Sequence, residues 1–422
     1  MVMQGDIRLP KPRKPRPAPI SKHIHYAPKP EPAPDITIDE EELGKTEVTP
    51  AKQRKLLIAP HKHFIRFWRW WLSLNRNVRF GIIAGILLLF GAGAIGWFTF
   101  IQPNSAPSLS ITKHPKKPAA PITVPSPLSG IQVDPKLAAR PVTGIMIENS
   151  TFARPQSGLQ DAGVVYEAIA EGGITRFLAL FQDTTPQYIG PVRSLRPYYI
   201  DFAAPFQASI VHVGGSPDAL SIVRNGNYRD LDQFFNSGSF HRVSYRDAPH
   251  NVYTSFDSLD ALNQSKGYTT SHFTIWPRKA DKKLAKPTAK TIDVQISSAD
   301  FYSHYDYDPA TNTYLRSEGG AAHMELTSAD DKTGTQIHPK VVIALVMDYS
   351  IADDGEHSVY ADTGSGTAFI FQDGGLTQAN WKKADSASQI GFTDSTGAPI
   401  KLDAGQTWLT LVADSSKVTY AP

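Results

Sequence analysis

Apolar positions are spread unevenly along the chain, and their spacing separates an anchor from a folded part. Residues 1–60 show no sustained apolar period and begin with the run RLPKPRKPRPAPISK, a composition that predicts a solvated, partly polyproline tail. HKHFIRFWRWWLSLNRNVR (61–79) interleaves Phe64, Phe67, Trp68, Trp70 and Trp71 with Arg66, Arg69, Arg76 and Arg79, a mixture suited to a membrane–water interface. Residues 80–101, FGIIAGILLLFGAGAIGWFTFI, carry no charge and match the roughly 20 residues a helix needs to cross about 30 Å of hydrocarbon. This predicts a retained transmembrane helix, because some eighty residues precede it where a cleaved signal would stand near the start. Residues 102–140 are rich in Pro, Ser and Lys and read as an extended spacer.

From Pro141 the pattern changes to ordered elements. VTGIMIEN reads as a short strand. Leu159, Ala162, Val165, Tyr166 and Ile169 recur at helical spacing ahead of Gly172 and Gly173, which predicts a helix over 157–170. ITRFLALFQ, apolar on both faces, predicts a central strand, and YIGPV and ASIVHVGG predict two more. Ser216 as N-cap and Pro217 at the first helical position open one helix, and Ser255 opens another that Gly267 closes. Residues 141–278 therefore predict a mixed α/β domain. After a Lys-rich linker at 279–290, short runs such as KVVIALVMDYS, GTAFIFQDGG and QTWLTLVA predict a smaller β-rich domain over 291–422. The fold class is α+β, with one N-terminal transmembrane helix.

Charge sharpens this division. Residues 1–79 hold 16 Lys and Arg against 8 Asp and Glu, and that basic excess places the tail in the cytoplasm and the remainder outside. From Pro141 onward there are 22 Lys and Arg against 31 Asp and Glu, an acidic ectodomain unsuited to nucleic acid. The chain has no cysteine, which excludes disulfides, zinc–thiolate sites, a cysteine nucleophile and a cysteine-linked lipid within this sequence.

Candidate chemistry concentrates in 150–255. Arginine recognises carboxylate or phosphate through paired donors, and Arg154, Arg176, Arg193 and Arg196 crowd one short span. Either they face an anionic ligand or they pair with Glu167, Glu171 and Asp201. Gly214, Gly215 and Ser216 precede a predicted helix, where backbone N–H groups and the helix dipole suit an anion. Ser194 and Ser216 lie outside any G-x-S-x-G elbow. His212, His241 and His250 are candidate bases, and with Asp201 or Asp218 candidate metal ligands. Neither they nor His23, His25, His61 and His63 show a full metal-binding spacing, so no metal and no cofactor is expected. On the predicted helix, Glu167 and Glu171 share a face, as an acid/base pair or a charge pair met by Arg176.

The blocks ARPQSG (153–158), EGGITRF (171–177), GPVRSLRPY (190–198), HVGGSP (212–217) and APHNVYTS (248–255), in this order, resemble the bacterial YerB-like family. GGLTQANWKK and LDAGQTWLTL are similar to its C-terminal domain, which extends the resemblance from about 141 to the end. The resemblance implies an extracytoplasmic, two-domain α+β protein with no established activity. It marks Arg154, Glu171, Arg176, Arg193, Arg196, His212 and His250 as matched polar positions. The family's lipoprotein label presumes a lipidated cysteine; here the apolar helix stands in its place.

The reading that follows is a single-pass membrane protein held in the membrane by residues 80–101. Its ectodomain binds an anionic envelope polymer or lipid head group through Arg154, Arg176, Arg193, Arg196, Gly214, Gly215, Ser216 and His250. Two alternatives stand beside it. One is an envelope enzyme on a phosphate-bearing polymer or lipid-linked precursor, with Arg193 and Arg196 clamping phosphate and Glu171 or His212 as base. The other is a structural partner in an envelope complex.

Overall fold

The computed structural model describes residues 62–100 and 121–422, which fall into two compact units, one ending at His114 and the other starting at Pro115. The tail 1–61 and the spacer segment 101–120 lie outside the described residues.

In the first unit, helix α1 (Lys62–Ser73) and helix α2 (Arg76–Phe100) meet at a sharp break. Asn75 starts α2, its Oδ1 accepting from the Asn77 amide at 3.2 Å, and Arg79 Nε reaches back to Leu74 O at 2.9 Å. The segment Arg66–Ser73 is bent by 114° from Arg76–Phe90. Among the described residues no single helix is long and apolar enough to cross a membrane; the two helices pass that test only together, as a bent pair. Of the single spanning helix expected over 80–101, residues 80–100 lie in α2. The helix starts at Arg76 and is preceded by a second helix, because Asn75 offers a side-chain cap where the pattern of apolar residues shows no boundary.

The second unit is rich in sheet. Ten strands form its main sheet: β1 (Thr143–Glu148), β2 (Val164–Ile169), β3 (Thr175–Phe181), β4 (Ser209–His212), β5 (Arg229–Asp232), β10 (Val341–Val346), β11 (Gly364–Gln372), β12 (Gly375–Lys383), β13 (Gly391–Thr393) and β14 (Thr407–Val412). Their order is β13-β12-β11-β10-β14-β2-β3-β1-β4-β5. A second, five-stranded sheet is built from β6 (Thr291–Val294), β7 (Ser303–Asp308), β8 (Thr313–Glu318), β9 (Ala321–Ala322) and β15 (Val418–Ala421). The parallel pairing of β14 with β2, Thr407 beside Val164, joins the two sequence halves in one sheet.

Both faces of the main sheet are covered. Helix α3 (Pro197–Ala203) and helix α4 (Pro217–Asn225) pack with Met146, Tyr166, Leu178 and Ile343 on one side. On the other side helix α5 (Phe256–Ser265) packs with Ile145, Phe177 and Trp408, and the second sheet closes over Val342, Ala344 and Phe371. Two-sided burial explains one departure from expectation. VVYEAI over Val164–Ile169 is a strand buried at every position and not part of a helix, since a strand covered on both faces loses its alternation and its apolar residues can mimic a helical period. The expected caps are present: Ser216 Oγ accepts from the Ala219 amide and Ser255 Oγ from the Ser258 amide.

The two stretches read as linkers are packed where they are described. Val124–Pro125 pairs with Gln132–Val133, and Leu128 is buried in the core. Lys279 pairs with Asp373 and Asp403, and Ala289 is buried. A proline- and lysine-rich composition sets local stiffness and charge but does not stop a segment from docking on a sheet edge.

Candidate functional site

Parallel strands β1, β4 and β5 end together at Glu148, His212 and Asp232, and the predicted site residues gather at that edge. Ligands of open α/β sheets commonly bind outside the carboxyl ends of such strands. Here β1 and β4 pair only as far as Ile145 and Val211 and then splay. Residues 191–195 enter the gap: Arg193 N donates to Met146 O at 2.8 Å, Val213 N to Arg193 O at 3.1 Å, and Leu195 N to Gly214 O at 3.0 Å. The run YIGPV pairs only through isolated bridges, Ile189 with Thr254, Gly190 with Ser157 and Val192 with Ile147, and is not a regular strand; the residues that follow it bring Arg193 to the site.

The arginines divide by their partners. Arg176 Nη2 lies 2.9 Å from Glu171 Oε2, Arg196 Nε binds Glu171 Oε1, and Arg176 Nη1 donates to Ser194 O at 3.1 Å. Burial works to raise the Glu171 carboxyl, but the Arg196 hydrogen bond and the two guanidinium charges outweigh it and hold the group below its ordinary value. Arg154 belongs to a different cluster, with Nε 3.1 Å from Asn149 Oδ1 and 3.3 Å from Glu318 Oε2, and Nη1 2.8 Å from Asp300 O. Glu171 sits beyond the end of β2 and Glu167 is buried within it, so the acid/base pair that a shared helix face would make does not form.

His212 and the glycines have internal partners. The buried His212 ring lies 2.8 Å from Gly214 O through Nδ1 and 2.9 Å from Asp230 Oδ1 through Nε2, so both nitrogens are engaged. Gly214 N donates to Asp232 Oδ1 at 3.0 Å and Ser216 N to Leu195 O at 3.2 Å. Gly214 takes φ +61°, and a Cβ there would meet the ring of Phe234 at 3.1 Å. The helix start therefore spends two of its N–H groups on the protein itself.

Arg193 and His250 converge instead on Glu148, a residue that stayed hidden at the end of an apolar strand. His250 Nδ1 lies 2.9 Å and Arg193 Nε 3.4 Å from Glu148 Oε1, while Glu148 Oε2 is buried with no hydrogen-bond partner among the described residues. The Arg193 guanidinium makes no hydrogen bond to any described residue, and its side chain is 23% exposed. Phe152 lies 5.6 Å from the His250 ring, centroid to centroid, and is 76% exposed; Phe234 over Gly214 is 69% exposed. The sequence signal for Glu148 was its place as the charged last residue of GIMIE, where a strand's exit presents polar groups.

Below this edge lies a fully buried charge cluster. Arg316 on β8 bonds Glu167 Oε2 at 2.9 Å and Ser303 Oγ at 2.7 Å, contacts Glu318 Oε1 at 3.2 Å, and stacks 4.7 Å from the Trp408 ring. Burial pushes His323 down to about 3, so its neutral Nδ1 accepts from Arg316. Glu318 is pushed down to about 2: burial opposes this, but the Arg316 and Arg154 charges prevail. Burial raises the Glu167 carboxyl. The cluster joins β2 to β8 and supports the site from beneath.

Residues 128–269 match the family described as "Protein of unknown function (DUF3048) N-terminal domain", and 292–409 match "Protein of unknown function (DUF3048) C-terminal domain". A protein of Bacillus subtilis (strain 168), "Putative lipoprotein YerB", is 32% identical over 297 residues, covering 68% of this chain and 86% of that protein. The crystal structure of the YerB protein from Bacillus subtilis aligns with a TM-score of 0.62 at 27% identity, over 71% of this chain and all of the crystallised one. The two matched segments take up the two halves that β14 and β2 join, and the chain is a member of the YerB family, with its N-terminal and C-terminal DUF3048 domains.

Proposed function

We propose that the protein is a membrane-anchored, extracytoplasmic binding protein that takes an anionic cell-envelope component at the carboxyl ends of β1 and β4. The observation that carries this reading is Arg193. Arg154, Arg176 and Arg196 are committed to carboxylates and carbonyls of the protein, whereas Arg193 holds one loose ion pair and keeps its terminal amino groups for a ligand. Two parallel N–H donors suit a phosphate or carboxylate. Beside it, the unpartnered Glu148 Oε2 suits a ligand hydroxyl, and the exposed Phe152 ring offers an apolar face to a sugar or acyl carbon. Anchorage through the apolar run at 80–101 fits the exposed Leu87, Leu88, Leu89 and Phe90 of α2 and the basic tail before it. In this reading α1 lies against the inner membrane surface.

The test is co-sedimentation of the full chain, reconstituted in lipid discs, with isolated cell wall before and after removal of its anionic polymers. Binding is expected to depend on those polymers and to weaken about ten- to a hundredfold in Arg193→Ala, the range of a lost hydrogen bond to a charged group of about 1.5–3 kcal/mol. The thermal midpoint of that variant should stay at the wild-type value, since Arg193 makes no strong internal bond. Equal binding by Arg193→Ala and wild type refutes the proposal.

A further inference from the structure

The largest cavity described, about 860 Å³, is lined by none of the residues of the Arg193 site. It is a half-open groove. The segment at 272–277, outside helix and strand, gives one wall, with Phe273, Ile275 and Trp276; Ile390, Phe392 and Ile400 form the other. Trp276 Nε1 donates to Ile390 O at 2.7 Å, which ties the walls together and leaves an apolar ring face. Ile275 is 53% exposed.

Three features separate this groove from a bare apolar patch. Gln389 is among the lining residues, and its side-chain Nε2 and Oε1 are buried without a hydrogen-bond partner among the described residues. One unmet donor and one unmet acceptor side by side are the complement of a second amide. Along the opposite wall, the backbone N–H and C=O groups of 273–275 pair with no backbone group among the described residues, so these groups stand open. The lining contains Lys382 and His272 and no Asp or Glu, although the folded part of the chain is acidic overall.

We infer that this groove binds an extended peptide segment of a partner protein, with apolar side chains in the groove, a peptide group on Gln389 and acidic flanks toward Lys382. Strand addition along 273–275 supplies main-chain hydrogen bonds, and the groove between the two walls selects the side chains. An acyl chain would fill the same volume and leave the Gln389 amide unpaired, which is why the peptide is favoured.

The experiment uses the full chain in lipid discs and a fluorescein-labelled, capped hexapeptide that alternates valine and phenylalanine between terminal glutamates, read by anisotropy. Two further probes are a copy with its central amides N-methylated, and sodium dodecanoate. Saturable binding of the peptide is expected, weaker by about tenfold for the methylated copy and in Gln389→Leu, and lost in Ile275→Asp. Gln389→Leu should melt no earlier than wild type, because it removes an unmet amide, and so it keeps the test valid even where Ile275→Asp folds poorly. No saturation by the peptide, equal binding of the methylated copy, or dodecanoate displacing the peptide with Gln389→Leu unaffected would overturn the inference.

Discussion

Replacing Arg316 by methionine tests the buried cluster that holds the two halves of the folded unit together. Arg316 is fully buried, and its loss takes the charge partner from Glu167, which keeps hydrogen bonds from Trp408 Nε1, Thr410 Oγ1 and Thr175 Oγ1, and the nearer charge partner from Glu318, which keeps Arg154 and a hydrogen bond from Asn149 Nδ2. Breaking a buried pair from one side costs about 3–5 kcal/mol, because a desolvated charge is left uncompensated. Against a total stability of about 5–15 kcal/mol this is a large share. The contribution of Glu318 to the pH dependence should change sign, and that of Glu167, already raised by burial, should deepen. In the wild type Glu318 is pushed down to about 2, so its contribution is present above the unfolded carboxyl value and is lost as pH falls toward 2. In Arg316→Met, burial acts without its main opposing charge and raises both carboxyls. Their protonated forms then favour the fold at low pH, and stability falls as pH rises through the raised values. Urea unfolding followed by tryptophan fluorescence at pH 7.5 and pH 5 measures both effects. The mutant should lose several kcal/mol at pH 7.5 and regain part of it at pH 5, and adding Glu167→Gln with Glu318→Gln should recover most of the loss. A cost below about 1 kcal/mol at pH 7.5, or no recovery on acidification, would falsify the role given to this cluster.

Two further outcomes follow from local chemistry. Burial raises the Glu325 carboxyl to about 7, with its Oε2 accepting from the Gln160 amide at 3.0 Å. The stability it contributes is full below the unfolded value near 4.5 and is lost as pH rises through about 7, a loss of about 3 kcal/mol that Glu325→Gln should remove from a melting-temperature series. Gly319 and Gly320 form the turn between β8 and β9 at φ +59° and +80°, the left-handed pair of a tight hairpin. Alanine is strained at both, by about 1–2 kcal/mol, but only at Gly319 would its Cβ meet a backbone oxygen, Asp300 O at 2.9 Å. Gly319→Ala should therefore unfold at lower urea than Gly320→Ala, and the reverse order would show that the close approach is relieved without cost.

Much of the local structure was legible because its causes are local. Ser216 with Pro217, and Ser255 before an amphipathic run, announce helix starts through groups within one turn of each other. The strand Thr175–Phe181 follows from its own apolar residues, and the crowding of arginines toward one edge was visible in the spacing of Arg176, Arg193 and Arg196. The partners of those arginines were not. Glu171 takes two of them, and Glu148 receives Arg193 and His250 only after 191–195 enters the gap between β1 and β4. The misread strand Val164–Ile169 has the same origin. Its burial on both faces depends on β14, far along the chain, and without it six apolar-rich residues suit a helix as well as a strand.

By itself, then, the sequence determined an anchor-like apolar run, an acidic α+β folded part, its helix caps, its family and the neighbourhood of a candidate site. The tertiary structure decided that the two halves share one sheet, that Glu167 in the first is paired with Arg316 in the second, and which arginine makes no hydrogen bond to any described residue. The reason is one of range. Caps and periods are set within a few residues, whereas a charge buried at Glu167 is stable only when a guanidinium 149 positions away is folded onto it, and no local pattern records that pairing.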